Sequence, residues 1–295
     1  MNVVVFGATG TIGAALVSVL TGDHDVTAVS RSPQENEDAN GVRWVRADVD
    51  DVQSVARAMK GAEIGYYLVH SLGQARFEER EQRSADGFAR AAEQVGLRQI
   101  VYLGGLGDDA DDLSPHLRSR RETEQRLAAG SVPVTTLRAG MVVGKGSAAF
   151  ETIAVLVDRL PAMLLPRWAK TATQPIALGD VVRYLTGVCG TEDAFGQTYD
   201  VGGPEVMSYA DMIRRVGRIK GRLPRLVEVP LLTPWLSALW IELVTPARAE
   251  VARPLVEGLR NPTVVKDERI RALVSFDLTP FDEAARAALA ESNVS

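Results

Sequence analysis

Three glycines near the start of the chain, in Gly7-Ala8-Thr9-Gly10-Thr11-Ile12-Gly13, have the type and spacing to hold a phosphate. A helix N-terminus offers free N–H groups and a partial positive charge, so it favours an anion. A chain that turns from strand to helix beneath a pyrophosphate must let the phosphate approach its backbone, and glycine permits this at least steric cost. The pattern is G-x-x-G-x-x-G rather than the dehydrogenase G-x-G-x-x-G, and three glycines alone also suit a tight structural turn. Here they lie between the apolar run Val3-Val4-Val5-Phe6 and a segment with Ile12, Leu16, Val19 and Leu20 at helical spacing. That setting predicts a dinucleotide at the loop.

The second strand selects the cofactor. A carboxylate near its end would hold a ribose 2′-hydroxyl and favour NAD. The chain instead reads Ser30-Arg31-Ser32, one guanidinium flanked by two hydroxyls. Arg31 can pair with a 2′-phosphate at two points, which predicts NADP(H) over NAD(H); the alternative is a solvated loop arginine. Asp48, beside Val49 after the third strand, is placed either to meet the adenine amino group or to cap the helix that begins near Asp51.

These residues need a frame, and the first 140 residues supply one. Strands are predicted at Val3–Phe6, Val26–Val29, Val42–Val45, Ile64–Val69, Ile100–Leu103 and Val134–Leu137. Helical periods separate them, including a long charged helix from Phe77 to Gln94. Strands alternating with helices pair in parallel through right-handed crossovers, giving an α/β, doubly wound Rossmann sheet. Residues 1–145 form the dinucleotide-binding domain, and a further strand near 197–201 returns to its sheet. Residues 146–295, broken by many prolines, form a smaller, mostly helical lobe over the strand carboxyl ends.

The 295 residues are 46% hydrophobic and 24% charged, with a net charge of −5 and a single cysteine, Cys189. The charge favours no nucleic-acid partner, and one thiol excludes an internal disulfide framework. No metal site is expected. No basic leader precedes the first apolar run, and Leu231 to Val244 is too short for a bilayer and interrupted by Pro234 and Glu242. The expectation is a soluble, cytoplasmic protein without a transmembrane segment. From Leu231 to Gly258, Trp235, Leu239, Trp240, Leu243 and Val244 make an apolar stripe, which suits core, a homodimer or complex interface, or a quinone-facing surface.

Several further segments carry a resemblance. They include Ala47-Asp48-Val49, Tyr66-Tyr67-Leu68-Val69-His70-Ser71 and Ile100-Val101-Tyr102-Leu103-Gly104-Gly105. Later come Leu137-Arg138-Ala139-Gly140-Met141, Gln174-Pro175-Ile176-Ala177 and Tyr199-Asp200-Val201-Gly202-Gly203. In this order, over about residues 1–210, the sequence resembles the short-chain dehydrogenase/reductase superfamily. The likeness is to its atypical, NmrA-like and complex-I-accessory-subunit-like NAD(P)H-binding branch. It implies strand order 3-2-1-4-5-6-7, with cofactor across the carboxyl ends. It also implies that Leu68, Val69 and His70 run along that cofactor, with Leu103 and Gly104 nearby.

Active members of the superfamily carry Tyr-x-x-x-Lys after the fifth strand and a Ser or Thr near that strand's end. Aligned here, His116 stands at the Tyr position, Arg120 at the Lys position and Gly104-Gly105 at the Ser position. Arg120 keeps a charge for ribose and phosphate but cannot act as a base. A histidine titrating near pH 6.5 can donate a proton, so His116 is one candidate acid and His70 a second substrate contact; both also suit cofactor-lining roles. Arg138, Tyr102 and the segment Arg167-Trp168-Ala169-Lys170 with Gln174 are further candidates, with ion-pair or core roles as alternatives. The expected function is an NADP(H)-dependent reductase acting on a small carbonyl, imine or quinone. Its rival is a non-catalytic NADP(H)-binding sensor, regulator or accessory subunit.

Overall fold

A computed structural model describes residues 1–32, 41–70, 77–108, 110–229 and 258–292. The chain opens with β1 (Asn2–Phe6), α1 (Thr11–Leu20), β2 (Asp25–Ser30), β3 (Val42–Arg46), α2 (Val52–Met59) and β4 (Ile64–Tyr67). It continues through α3 (Phe77–Val95), β5 (Gln99–Gly105), α4 (Pro115–Ala128) and β6 (Val134–Ala139). β1 is buried on both faces from Val3 to Phe6, as its unbroken apolar run requires for a central parallel strand. β4 stops at Tyr67, short of the predicted Val69. The Leu68 N–H still donates to Phe6 O at 3.0 Å before the chain leaves the sheet.

The later segments are β7 (Val142–Val143), α5 (Ala148–Arg159), β8 (Ala162–Leu165), β9 (Ala172–Thr173), β10 (Ile176–Ala177), α6 (Leu178–Gly187) and β11 (Thr198–Val201). Then follow β12 (Met207–Ser208), α7 (Tyr209–Ile219), β13 (Arg225–Glu228), α8 (Ile270–Leu273) and α9 (Phe281–Ser292). Seven parallel strands run β3-β2-β1-β4-β5-β6-β11, the expected 3-2-1-4-5-6-7 order with β11 as the returning strand. The order reverses beside β1, the crevice where open α/β sheets bind ligands.

Two apolar layers cover the sheet. Leu16 and Leu20 of α1 pack with Val181 and Leu185 of α6 on one face. Val55 of α2, Phe88 of α3 and Leu127 of α4 pack on the other. Phe88 meets Phe6 and Tyr67 edge-on, at centroid distances of 5.1 and 4.8 Å. A third cluster, with Phe150, Met212, Val216 and Phe281, unites α5, α7 and α9. Beside those helices stand three two-stranded pairs, β7 with β10, β8 with β13, and β9 with β12. Most of the apolar stripe expected from Leu231 to Gly258 lies outside the described residues. No helix among the described residues is long and apolar enough to cross a membrane.

Candidate functional site

The glycine loop is built by close backbone approach. Gly7 adopts φ +87°, and a Cβ there would stand 2.6 Å from Leu68 O. The Gly10 N–H donates to Gly7 O at 3.0 Å, and α1 begins without a side-chain cap at Gly10. The first-turn N–H groups are therefore left for a ligand, as a phosphate cradle requires. The Thr11 hydroxyl donates to Gly146 O at 2.8 Å, tying the loop to the segment before α5.

A trough of about 210 Å³ leads from this loop along β2. Gly7, Thr9, Gly10, Ser30 and Arg31 line it with Val49, Leu68, Val69 and His70. Arg80 of α3 lines it too, with Nη2 2.7 Å from Asp50 Oδ2. Nothing in the charged run Glu78-Glu79-Arg80-Glu81 marks that arginine as facing the trough, so sequence reasoning missed it. Asp48 is not among the lining residues; its Oδ1 accepts the Asp50 N–H at 3.1 Å, while Asp51 caps α2 through Gln53 N. Ser30 Oγ accepts the Ser32 N–H at 3.2 Å.

Beyond His70 the trough meets a second cavity of about 300 Å³. Ile12, Leu103, Leu106, Met141 and Leu259 give it apolar walls, and His70, His116, Arg120 and Tyr209 its polar groups. Local structure explains the polar side. Ser114 Oγ accepts the Leu117 N–H and Pro115 starts α4, which places His116 and Arg120 one turn apart on one face. Gly105 lets α4 approach β5, since a Cβ there would meet Leu117 Cδ2 at 2.8 Å. The His70 and His116 rings consequently stand 5.3 Å apart.

Arg120 Nη2 donates to Leu103 O at 2.6 Å, its guanidinium lies 5.2 Å from the Tyr102 ring centre, and Nη1 is 3.3 Å from His70 Nδ1. His70 Nδ1 also lies 3.1 Å from Oε1 of buried Glu81, whose Oε2 accepts the Ser119 hydroxyl at 2.6 Å. Glu81 and Ser119 carry no sequence motif and escaped the sequence reading. Burial alone would raise the Glu81 carboxyl, but hydrogen bonding to His70 and the nearby Arg120 charge outweigh it and hold it at about 2.

The imidazoles are pushed the other way. Removal from water, then Arg120, lowers His70. Removal from water, then the neighbouring His70 and Arg120, takes His116 down to about 3. These surroundings perturb His116 away from the ordinary imidazole value near 6.5 and favour the uncharged ring at neutral pH. Its Nδ1 is buried without a hydrogen-bond partner among the described residues.

That shift has a stability consequence. A histidine whose folded pKa is depressed resists the proton that the unfolded chain accepts, so its contribution is full above the unfolded value and falls as pH drops toward about 3. His116→Gln is expected to lose this dependence. Relative to the variant, the wild type should weaken by up to roughly 1.4 kcal/mol per pH unit below 6.5. Urea midpoints near pH 7 and pH 5 measure it, and parallel curves for the two proteins would refute the buried neutral assignment.

The remaining candidates have structural partners. Arg138 binds Glu124 at two points, Nε to Oε2 at 3.0 Å and Nη2 to Oε1 at 2.8 Å, which is the ion-pair alternative. The Gln174 side chain donates to Gly203 O and accepts from Val265 N. Tyr102 is fully buried and its hydroxyl donates to Arg120 O at 3.1 Å. Trp168 meets Tyr209 edge-on at 6.4 Å. Cys189 is buried, and burial raises its thiol.

A glycine cradle with no room for a Cβ at Gly7 or Gly13, an uncapped helix start and a trough beside a histidine-lined cavity together fit an extended dinucleotide. The chain belongs to the NAD(P)H-binding family, whose model matches residues 7–156. That membership agrees with the atypical short-chain dehydrogenase/reductase branch that its motifs resemble. It is 23% identical to mitochondrial NADH dehydrogenase (ubiquinone) 1 alpha subcomplex subunit 9 of Arabidopsis thaliana, over 77% of this chain and 60% of that relative. The chain thus spans less than two thirds of that relative's length. It is 26% identical to (4-alkanoyl-5-oxo-2,5-dihydrofuran-3-yl)methyl phosphate reductase of Streptomyces griseus, over 77% of each chain. Its fold matches Citrobacter triphenylmethane reductase complexed with NADP(H), with a TM-score of 0.77 and 16% identity over 98% of this chain and 100% of the other.

Proposed function

We propose that the protein is an NADP(H)-dependent reductase that delivers hydride to a small carbonyl, imine or quinone. The observation that carries this reading is that His70 lines two spaces, a trough floored by the glycine loop on one side and a largely apolar cavity on the other. Such a cavity would seat an acceptor against the reactive end of a dinucleotide held at the glycine loop. Two reductases among the similar proteins support it, one of them solved with NADP(H).

When bound, the nicotinamide supplies a hydride from C4, and the acceptor then gains a proton. The chain's own residues bind and orient. First-turn N–H groups of α1 hold the pyrophosphate, and Arg31, at the trough, pairs with a 2′-phosphate. Neutral His116 donates a ring N–H to the acceptor heteroatom as negative charge gathers there. This role suits an imidazole held uncharged.

Arg31 tests the cofactor preference. NADPH should bind about tenfold or more tightly than NADH, from one charge-assisted contact, and Arg31→Ala should narrow that gap. Fluorescence titration of both nucleotides measures it; equal wild-type affinities would remove the preference. NADPH consumption against quinones, aldehydes and cyclic imines tests the reaction. The non-catalytic alternative is favoured by one observation, the His116, Arg120 and Gly104 identities where the superfamily carries Tyr, Lys and Ser. Tight NADPH binding without turnover of any acceptor class would establish it instead.

A further inference from the structure

The junction of trough and cavity holds a group of side chains that the reductase reading does not itself assign. His70 lines both spaces. Behind it, Glu81 of α3 has a side chain only 4% exposed and lies 3.1 Å from His70 Nδ1. Ser119 of α4 donates to the other carboxylate oxygen at 2.6 Å. Two groups compete for Nδ1, since Arg120 Nη1 lies 3.3 Å from the same atom. Only one arrangement is electrostatically consistent. An ionised carboxylate facing the Nδ1 lone pair would be repelled, whereas Nδ1–H donates to it. Arg120 has its own short acceptor in Leu103 O and does not need the imidazole.

We infer that Glu81 is a positioning residue: it takes the Nδ1 proton of His70 and fixes one tautomer, leaving Nε2 as an acceptor for a hydroxyl donor at the trough–cavity junction. No hydrogen bond to Nε2 is formed by the described residues. The hydroxyl has two sources, a ribose hydroxyl on the nicotinamide side of the dinucleotide or the hydroxyl of a reduced, alcohol-form substrate. The second source rests on the reductase reading; the tautomer does not. A carboxylate that fixes the ring orientation of a functional histidine from behind is the general logic of such pairs. Among the described residues, the charged and titratable neighbours around His70 are Glu81, Arg120 and His116.

The experiment is long-range 1H–15N NMR of the full chain near pH 7.5, with its three histidines assigned by single substitutions. The free protein is expected to show His70 protonated at Nδ1 and bare at Nε2. The Nε2 resonance should then move to lower frequency on adding NADP+ if the ribose is the donor. If the substrate hydroxyl is the donor, it should move only on adding hydroquinone to the NADP+ complex. An Nε2–H tautomer in the free protein, or no shift at either addition, overturns the inference.

Glu81→Met supplies the second arm. With the carboxylate gone and no acceptor in its place, Arg120 donates to Nδ1, so the ring should switch to the Nε2–H form and lose the ligand-induced shift. A Glu81→Met spectrum that keeps Nδ1–H shows that Glu81 does not set the tautomer, and it sinks the positioning role. Because the tautomer is read without turnover, a protein that shows it yet oxidises NADPH with no acceptor retires the reductase reading alone.

Discussion

Gly13→Ala is expected to weaken dinucleotide binding by about a hundredfold or more and to destabilise the fold by roughly 2–4 kcal/mol. The added methyl would stand 2.1 Å from Gly7 O, 2.8 Å from Gly7 C and 3.0 Å from Ala8 Cα. All three are backbone atoms, so no side-chain rotation relieves the overlap. The first turn of α1 must move away from the loop, and its N–H groups then no longer converge on one phosphate. Gly10→Ala is the internal control. Its Cβ would meet only Gly7 O, at 3.3 Å, a contact that a shift of a few tenths of an ångström relieves. Fluorescence titration with NADPH and urea unfolding read the two effects separately. A Gly13→Ala protein that binds within about threefold of wild type would mean that the loop does not carry the phosphate.

Glu124→Ala is expected to cost about 3 kcal/mol, the largest stability loss from any single polar side chain considered, because it strands buried positive charge. Glu124 accepts from Arg138 at 2.8 and 3.0 Å, from Arg121 at 3.3 Å and from Thr198 Oγ1 at 3.2 Å. The side chains of Arg121, Glu124 and Arg138 are 11%, 12% and 18% exposed, so water screens them little. Removing the carboxylate takes a shared anionic partner from two largely buried guanidinium groups. Arg138→Met should cost less, since Arg121 still balances Glu124. The double change Glu124→Leu with Arg138→Met should recover part of the loss, because an apolar pair leaves fewer buried charges unmatched. Urea unfolding of the four proteins checks this order. A Glu124→Ala cost below about 1 kcal/mol would place the cluster with solvated surface pairs.

The sheet was legible because its signals are local. Buried parallel strands must be apolar on both faces, and Val3–Phe6 and Ile100–Leu103 satisfy that without reference to the rest of the chain. The glycine loop was legible for a related reason: a strand-to-helix turn with no room for a Cβ at Gly7 and Gly13 restricts residue type at fixed spacing. Arg31 was picked out by its place just after β2, and it does line the trough.

The chemistry of the inner cavity was not local. His70 and Arg120 lie 50 residues apart and meet because β4 ends and α4 begins at the same edge of the sheet. Resemblance drew attention to His116, but its neutral state follows from burial beside a second imidazole and a guanidinium, which composition does not encode. Glu81 is one acidic residue among several at the start of α3, and only the packing of α3 on α4 selects it for burial and supplies Ser119 as its donor.

By itself, then, the sequence determined the strands of the sheet and the glycine loop, because each is set by side-chain size and polarity within a few neighbouring residues, whereas the strand order came from the resemblance. Tertiary structure decided which polar side chains are dry, which are paired and which face the cavity. Those properties depend on desolvation and on charges brought together from distant segments, and no spacing along the chain records them.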